Sequence, residues 1–162
     1  RDHGNFIKTS VAQTITDAQK RVQHIVPILK QRGVHGRVLQ YCNEELLQEN
    51  YFHAVLEATK SLSDYIRTVT NLKTDGSELF DTALSTTNPY MVMNNLQTKS
   101  EKNQQIGLCS MLKGINSMVR NVTAHEPKIK WIIEESDAID ILMVISYLHK
   151  QLDSCQITKM EQ

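Results

Sequence analysis

The stretch Tyr51-Phe52-His53-Ala54-Val55-Leu56-Glu57-Ala58-Thr59-Lys60-Ser61-Leu62-Ser63-Asp64-Tyr65-Ile66-Arg67-Thr68-Val69-Thr70 decides the fold class. Within it Tyr51, Val55, Ala58, Leu62, Tyr65 and Val69 recur in 4-3-4-3-4 steps, which places them on one stripe of a helix ending near Asn71. The β-branched run Ile66, Thr68, Val69 and Thr70 invites a strand assignment, but it only completes that stripe. Upstream, Val11, Ile15, Ala18, Val22, Ile25 and Leu29 step in the same way, with Pro27 predicting a kink or break near Val26. Gly33 and Gly36 mark a loop, and a helix from about Arg37 to Gln48 would turn Leu39, Cys42 and Leu46 inward.

Downstream, Asp75-Gly76-Ser77 reads as a turn, with Ser77 capping a short helix from Glu78 to Leu84. Ser85–Lys99 is polar, contains Asn88-Pro89, and reads as an ordered loop that dips Tyr90, Met91 and Met93 into the core. A long helix follows from near Ser100, with Leu108, Met111, Leu112, Ile115, Met118 and Val119 as its inner face. It should stop around Asn121–Glu126, because Pro127 disfavours helix in the residue before it. The last helix is predicted to start at a Ser136 or Asp137 cap and to bury Ile141, Leu142, Ile145, Leu148 and Leu152. Ile129, Trp131, Ile132 and Ile133 are too few to build a sheet alone, and no longer run alternates with period two. The fold class is therefore all-α: a bundle of four long helices plus short ones. Residues 1–34 read as an added helix or linker, 35–155 as the compact unit and 156–162 as a C-terminal tail.

The length of 162 residues suits one domain, and 40% apolar with 22% charged residues is a globular composition. The longest mainly apolar stretch, Ile139–Ile145, is too short to span a bilayer. The polar start Arg1-Asp2-His3-Gly4 does not resemble a signal peptide, and without an initiator Met it is read as belonging to a fragment or a processed chain. Three widely spaced cysteines, Cys42, Cys109 and Cys155, argue against a disulfide framework and a Cys-based zinc site, so a reducing cytosol is the expected compartment. Lys plus Arg balances Asp plus Glu at 18 each, which excludes a strongly basic nucleic-acid protein but not a local basic surface. One such segment runs from Lys8 to Arg37, with six basic residues and a single acid, Asp17. Lys20, Arg21, Lys30 and Arg32 in it are candidate RNA contacts, or else a solvated helix face.

The candidate for chemistry is Arg120-Asn121-Val122-Thr123-Ala124-His125. A fixed guanidinium can grip phosphate through two hydrogen bonds, and an imidazole can donate or accept a proton near neutral pH. RNA carries its own nucleophile, the 2′-hydroxyl, so such a pair suffices in principle without metal or cofactor. The spacing alone decides nothing: with six Arg and six His, roughly 0.7 Arg-x(4–6)-His matches are expected by chance. Arg120 could instead neutralise a helix C-terminus and His125 cap it. Glu57 and Lys60, three apart beside the apolar stripe, are a semi-buried pair or a surface ion pair. His24, His35, His53 and His149 show no metal-ligand spacing. Asp137 and Asp140 fit the start of the last helix as dipole partners.

Several blocks in order resemble a known family over about residues 35–153. Leu46-Leu47-Gln48-Glu49-Asn50-Tyr51-Phe52-His53 leads into Ala54-Val55-Leu56-Glu57-Ala58-Thr59-Lys60; then come Asp75-Gly76-Ser77-Glu78-Leu79-Phe80, Asn103-Gln104-Gln105-Ile106-Gly107, Gly114 and Arg120-Asn121-x-x-Ala124-His125. Together they are similar to the Ymh-like (Abi-type) family of small prokaryotic helical domains, a branch of the HEPN superfamily. The resemblance implies a helical bundle, commonly a homodimer, with the Arg-x4-His motif beside the two-fold interface. It implies a metal-independent endoribonuclease of a toxin–antitoxin, abortive-infection or other antiviral system, in which an antitoxin or another defence protein would be a partner. His125 would be general acid or base, Arg120 the ligand of phosphate and transition state, and Asn121 an orienting residue. Glu57 and Lys60 would support the site or order the bundle. Val122 and Thr123 depart from the pattern, standing where a Pro or basic residue is usual; this leaves the pair intact but removes local positive charge. The other reading is a non-catalytic dimerisation module that binds RNA or protein, as some members of the superfamily are. An antitoxin-like or sensor role within a larger protein is a third.

Overall fold

The structure, a computed structural model, describes residues 25–121 and 132–162, and the architecture is an all-α bundle. Residues 25–31 form the described part of α1, and α2 spans Gly36–Leu47, α3 Tyr51–Thr70 and α4 Gly76–Ala83. α5 spans Lys99–Ile115 and runs into a π-helical segment, Asn116–Asn121; α6 spans Glu135–Ser154. Two two-residue strands, β1 Met91–Val92 and β2 Gln156–Ile157, pair antiparallel. This pairing corrects the expectation of no strand at all: two residues are too few to show alternation.

α3 is the central element and packs against α2, α4, the π segment and α6. Its ends are set by two asparagines. The Asn50 side chain accepts from the His53 N–H, and Asn71 takes the left-handed conformation at φ 61° and returns its N–H to the Arg67 carbonyl. The buried stripe is centred slightly off the predicted one: Val55, Ala58 and Leu62 are in the core, but Ile66 is buried where Tyr65 was expected. Tyr65 is large and carries a hydroxyl, so it sits half-buried at the edge. On α2 the same shift makes Val38 the buried partner of Cys42 and Leu46, leaving Leu39 half-buried.

Pro27 does not break the described helix, which runs through residue 31; Gly33, at φ 70°, makes the turn instead. α4 begins one residue before the expected cap. Asp75, not Ser77, is the N-cap, and its carboxylate accepts from Gly76 N–H at 2.9 Å. α6 begins at Glu135 after Glu134, with no side-chain cap, rather than at Ser136 or Asp137. The buried face of α5 is narrower than expected: Leu108, Leu112, Ile115 and Val119 close the core, while Met111 and Met118 are 45% and 48% exposed.

The 85–98 loop is ordered by side chains acting as backbone. Buried Gln105 accepts from the Met93 N–H and donates to the Met91 carbonyl, and Met91 is fully buried. The 156–162 segment ties this loop to α3: Thr158 N–H reaches the Tyr90 carbonyl and Glu161 N–H the Thr70 carbonyl. α5 opens with a reciprocal capping box in which Thr98 Oγ1 accepts from Glu101 N–H and Glu101 accepts from Thr98 N–H. Thr98→Ala is expected to lower stability by about 1 kcal/mol, read as a lower denaturation midpoint.

Candidate functional site

Arg120 lies in the π segment that continues α5, and the expected stop of this helix around Asn121–Glu126 falls, beyond Asn121, outside the described residues. A π turn takes one more residue than an α turn, and such turns occur often at functional positions. Here it aims Arg120 across to the α4 N-cap. Arg120 Nη1 donates to Asp75 Oδ1 at 2.8 Å, and its Nη2 lies 2.6 Å from Oδ2, a two-point grip. Arg67, from the last turn of α3, donates to the same Asp75 Oδ1 at 2.8 Å and also binds Asp64 one turn earlier. Tyr41 of α2 donates to the other oxygen of Asp64 at 3.1 Å. Asp75 Oδ1 thus receives two guanidinium donors besides the Gly76 N–H. The Arg120 hydrogen bond holds the Asp75 carboxyl down at about 2, with help from the Gly76 N–H and Arg67. In return Asp75 raises the proton affinity of Arg120 further.

Glu57 and Lys60 form a half-buried ion pair at 2.6 Å. With Asp64 and Arg67 they fall at 3-4-3 spacing on one polar stripe of α3. Helical rise puts Glu57 about 15 Å along the axis from Arg67. They are bound to each other and lie away from the Arg120 end of the bundle. Asn121 closes the π segment. His125, Lys20 and Arg21 lie outside the described residues. Lys30 and Arg32 are exposed, with Arg32 Nη1 3.8 Å from Asp140. Arg67, Asp64 and Asp75 were not picked out as site residues; the stripe spacing could have signalled the first two.

A second polar cluster joins the start of α2, α3 and α6. His149 is fully buried, 2.7 Å from Ser61 Oγ, and stacked on His35 at 5.1 Å between ring centres. Ser61 Oγ also lies 2.6 Å from the Ala58 carbonyl, to which it can donate, and His149 Nδ1 has no partner among the described residues. His35 Nδ1 accepts from Arg37 N–H and its Nε2 lies 2.8 Å from Asp153; Arg37 also holds Asp153 and covers the Tyr65 ring at 3.9 Å. Burial first, then the neighbouring His35 and Arg37, push His149 down to about 4.

All three cysteines are free, and burial pushes the Cys42 thiol up to about 12. Among the described residues no three His, Cys, Asp or Glu side chains are grouped to hold a metal ion, and no helix is long and apolar enough to cross a membrane.

The sequence model of a protein family described as "Protein of unknown function (Hypoth_ymh)" matches residues 32–152, and the chain belongs to that family. No curated protein and no solved structure matches it.

Proposed function

We propose that this member of the Ymh family is an endoribonuclease of the HEPN type, acting in the cytoplasm as a toxin or in antiviral defence, without a metal or cofactor. The observation that supports this most is the placement of Arg120. Its guanidinium is held by a carboxylate with both oxygens, the grip a phosphodiester would take, five residues before His125. In the proposed reaction His125 performs one of the two proton transfers, taking the proton of the RNA 2′-hydroxyl or supplying one to the leaving 5′-oxygen, and water performs the other. The 2′-oxygen bonds to phosphorus as the 5′-oxygen leaves, giving a 2′,3′-cyclic phosphate and a 5′-hydroxyl. Arg120 stabilises the charge gathered on the phosphoryl oxygens. A homodimer would set two such sites beside one interface, and an antitoxin or another defence protein would restrain them.

One observation favours a second reading, a non-catalytic module that binds RNA or protein. Arg67, Arg120, Asp64 and Asp75 together carry no net charge, and the whole chain is neutral, so anion attraction is modest. The test is incubation of the purified chain with single-stranded and structured RNAs in EDTA, followed by analysis of product ends. Cyclic-phosphate ends, lost in Arg120→Ala and His125→Ala, are the expected result. A folded wild-type protein that leaves every RNA intact would discard the ribonuclease reading in favour of the second.

A further inference from the structure

Two guanidiniums from separate elements converge on one carboxylate. Arg67 of α3 and Arg120 of the π segment both donate at 2.8 Å to Asp75 Oδ1, and Arg120 adds a contact to Oδ2. We propose that Arg67 and Arg120 form a two-arginine cradle for an RNA phosphodiester and that Asp75 is its built-in competitor, leaving the cradle when RNA enters. The proposal rests on the reading of Arg120 as a phosphate ligand and adds to it a second ligand, Arg67, and a self-inhibiting residue, Asp75.

Three features carry it. First, the charges match. A phosphodiester bears one negative charge, as Asp75 does, so exchange of one for the other leaves the cluster as neutral as before. Second, Arg67 does not depend on Asp75 for its position. Asp64 holds it from within α3, and Tyr41 holds Asp64, so the donor fork stays in place when Asp75 swings away. Third, all three side chains reach solvent, with 30% to 43% of their surface exposed, so a strand can approach without unpacking the core. Asp75 caps the start of α4 and follows the 71–74 link, so its side chain can swing off the arginines by giving up the Oδ1 that Gly76 N–H also binds. A carboxylate tethered this way competes at high effective concentration, which suppresses RNA binding without a separate inhibitor.

The test is binding of a 2′-O-methyl RNA oligonucleotide, which cannot be cleaved, followed by fluorescence anisotropy at fixed salt. Asp75→Asn keeps the cap and the shape but removes the charge, and is expected to tighten binding by about tenfold. Asp137→Asn removes an exposed carboxylate elsewhere and should change it less than twofold. Arg67→Gln in the Asp75→Asn background should cancel the gain while thermal unfolding still shows a folded chain. Asp75→Asn that binds no better than Asp137→Asn would overturn the cradle, as would a gain that survives Arg67→Gln. A purely structural Asp75 would lower the melting temperature and leave binding unmoved, which also overturns it. The two readings fail separately. Binding that responds to these variants without cleavage of ordinary RNA removes the ribonuclease and keeps the cradle. Cleavage that needs Arg120 and His125 but is indifferent to Asp75 and Arg67 does the reverse.

Discussion

Lowering the pH from 7 to 4 is expected to cost the fold about 3 kcal/mol through His149 alone. Burial holds this imidazole at about 4 in the folded chain, against 6.5 when it is free. At about 1.4 kcal/mol per pH decade this difference amounts to about 3 kcal/mol. The direction follows from where the proton binds. The unfolded chain takes it up first, so the contribution is complete above pH 6.5 and is lost as pH falls toward 4. The groups around the ring explain why a charge is resisted. Burial removes the water that would solvate a cation, His35 and Arg37 oppose one, and Tyr65 makes only a ring edge contact. Asp153 alone favours it, and its carboxylate is already shared between Arg37 and His35. A proton on Nδ1 would moreover have no acceptor, since that atom has no partner among the described residues. Urea unfolding of wild type and His149→Gln at both pH values measures the effect. The wild type should lose about 3 kcal/mol more than the variant across the interval. Equal losses would show that His149 does not supply the pH dependence.

His125→Ala is expected to slow RNA cleavage by about 10²–10⁴-fold, the usual contribution of a positioned acid or base. Because His125 would act on protons and Arg120 on charge, the two variants should differ in their response to pH. Loss of His125 should flatten the pH–rate profile around neutrality, whereas Arg120→Ala should lower the rate at every pH and keep the profile's shape. A His125→Ala enzyme with the wild-type rate and profile would remove His125 from the chemistry. Thermal unfolding of both variants should stay near wild type, which separates lost chemistry from lost fold.

Much of the bundle is legible because helical period and asparagine ends act locally. α3 needs only its own apolar spacing and the neighbouring Asn71 to be placed. Where reading failed, a contact distant in sequence decided the outcome. Met111 and Met118 look like core residues on α5, yet Leu108, Leu112, Ile115 and Val119 already fill the space facing α4 and α6. His149 stands outside the apolar spacing of α6 yet is fully buried; Ser61, 88 residues away, supplies the partner that lets it be buried. The β1–β2 pairing joins segments about 65 residues apart through two residues each. The same holds for the site. Arg120 stands out by its motif, and Asp75 by its Asp-Gly block, but their bond spans 45 positions and has no local signature. Ser77 is the expected cap because Asp75-Gly76-Ser77 reads as a turn, whereas Asp75 itself caps α4, its carboxylate accepting from the Gly76 N–H.

The π segment makes the bearing of Arg120 a matter of counting. Each residue of an α-helix turns the chain by about 100°, so the extra residue held in Asn116–Asn121 turns Arg120, near its end, by about that angle relative to an unbroken α5. The sequence Asn-Ser-Met-Val-Arg-Asn could thus change widely in composition and still deliver Arg120 to Asp75, whereas the loss of one residue anywhere within it would send the side chain toward a different neighbour. Selection on this short stretch would therefore act on its length before its chemistry.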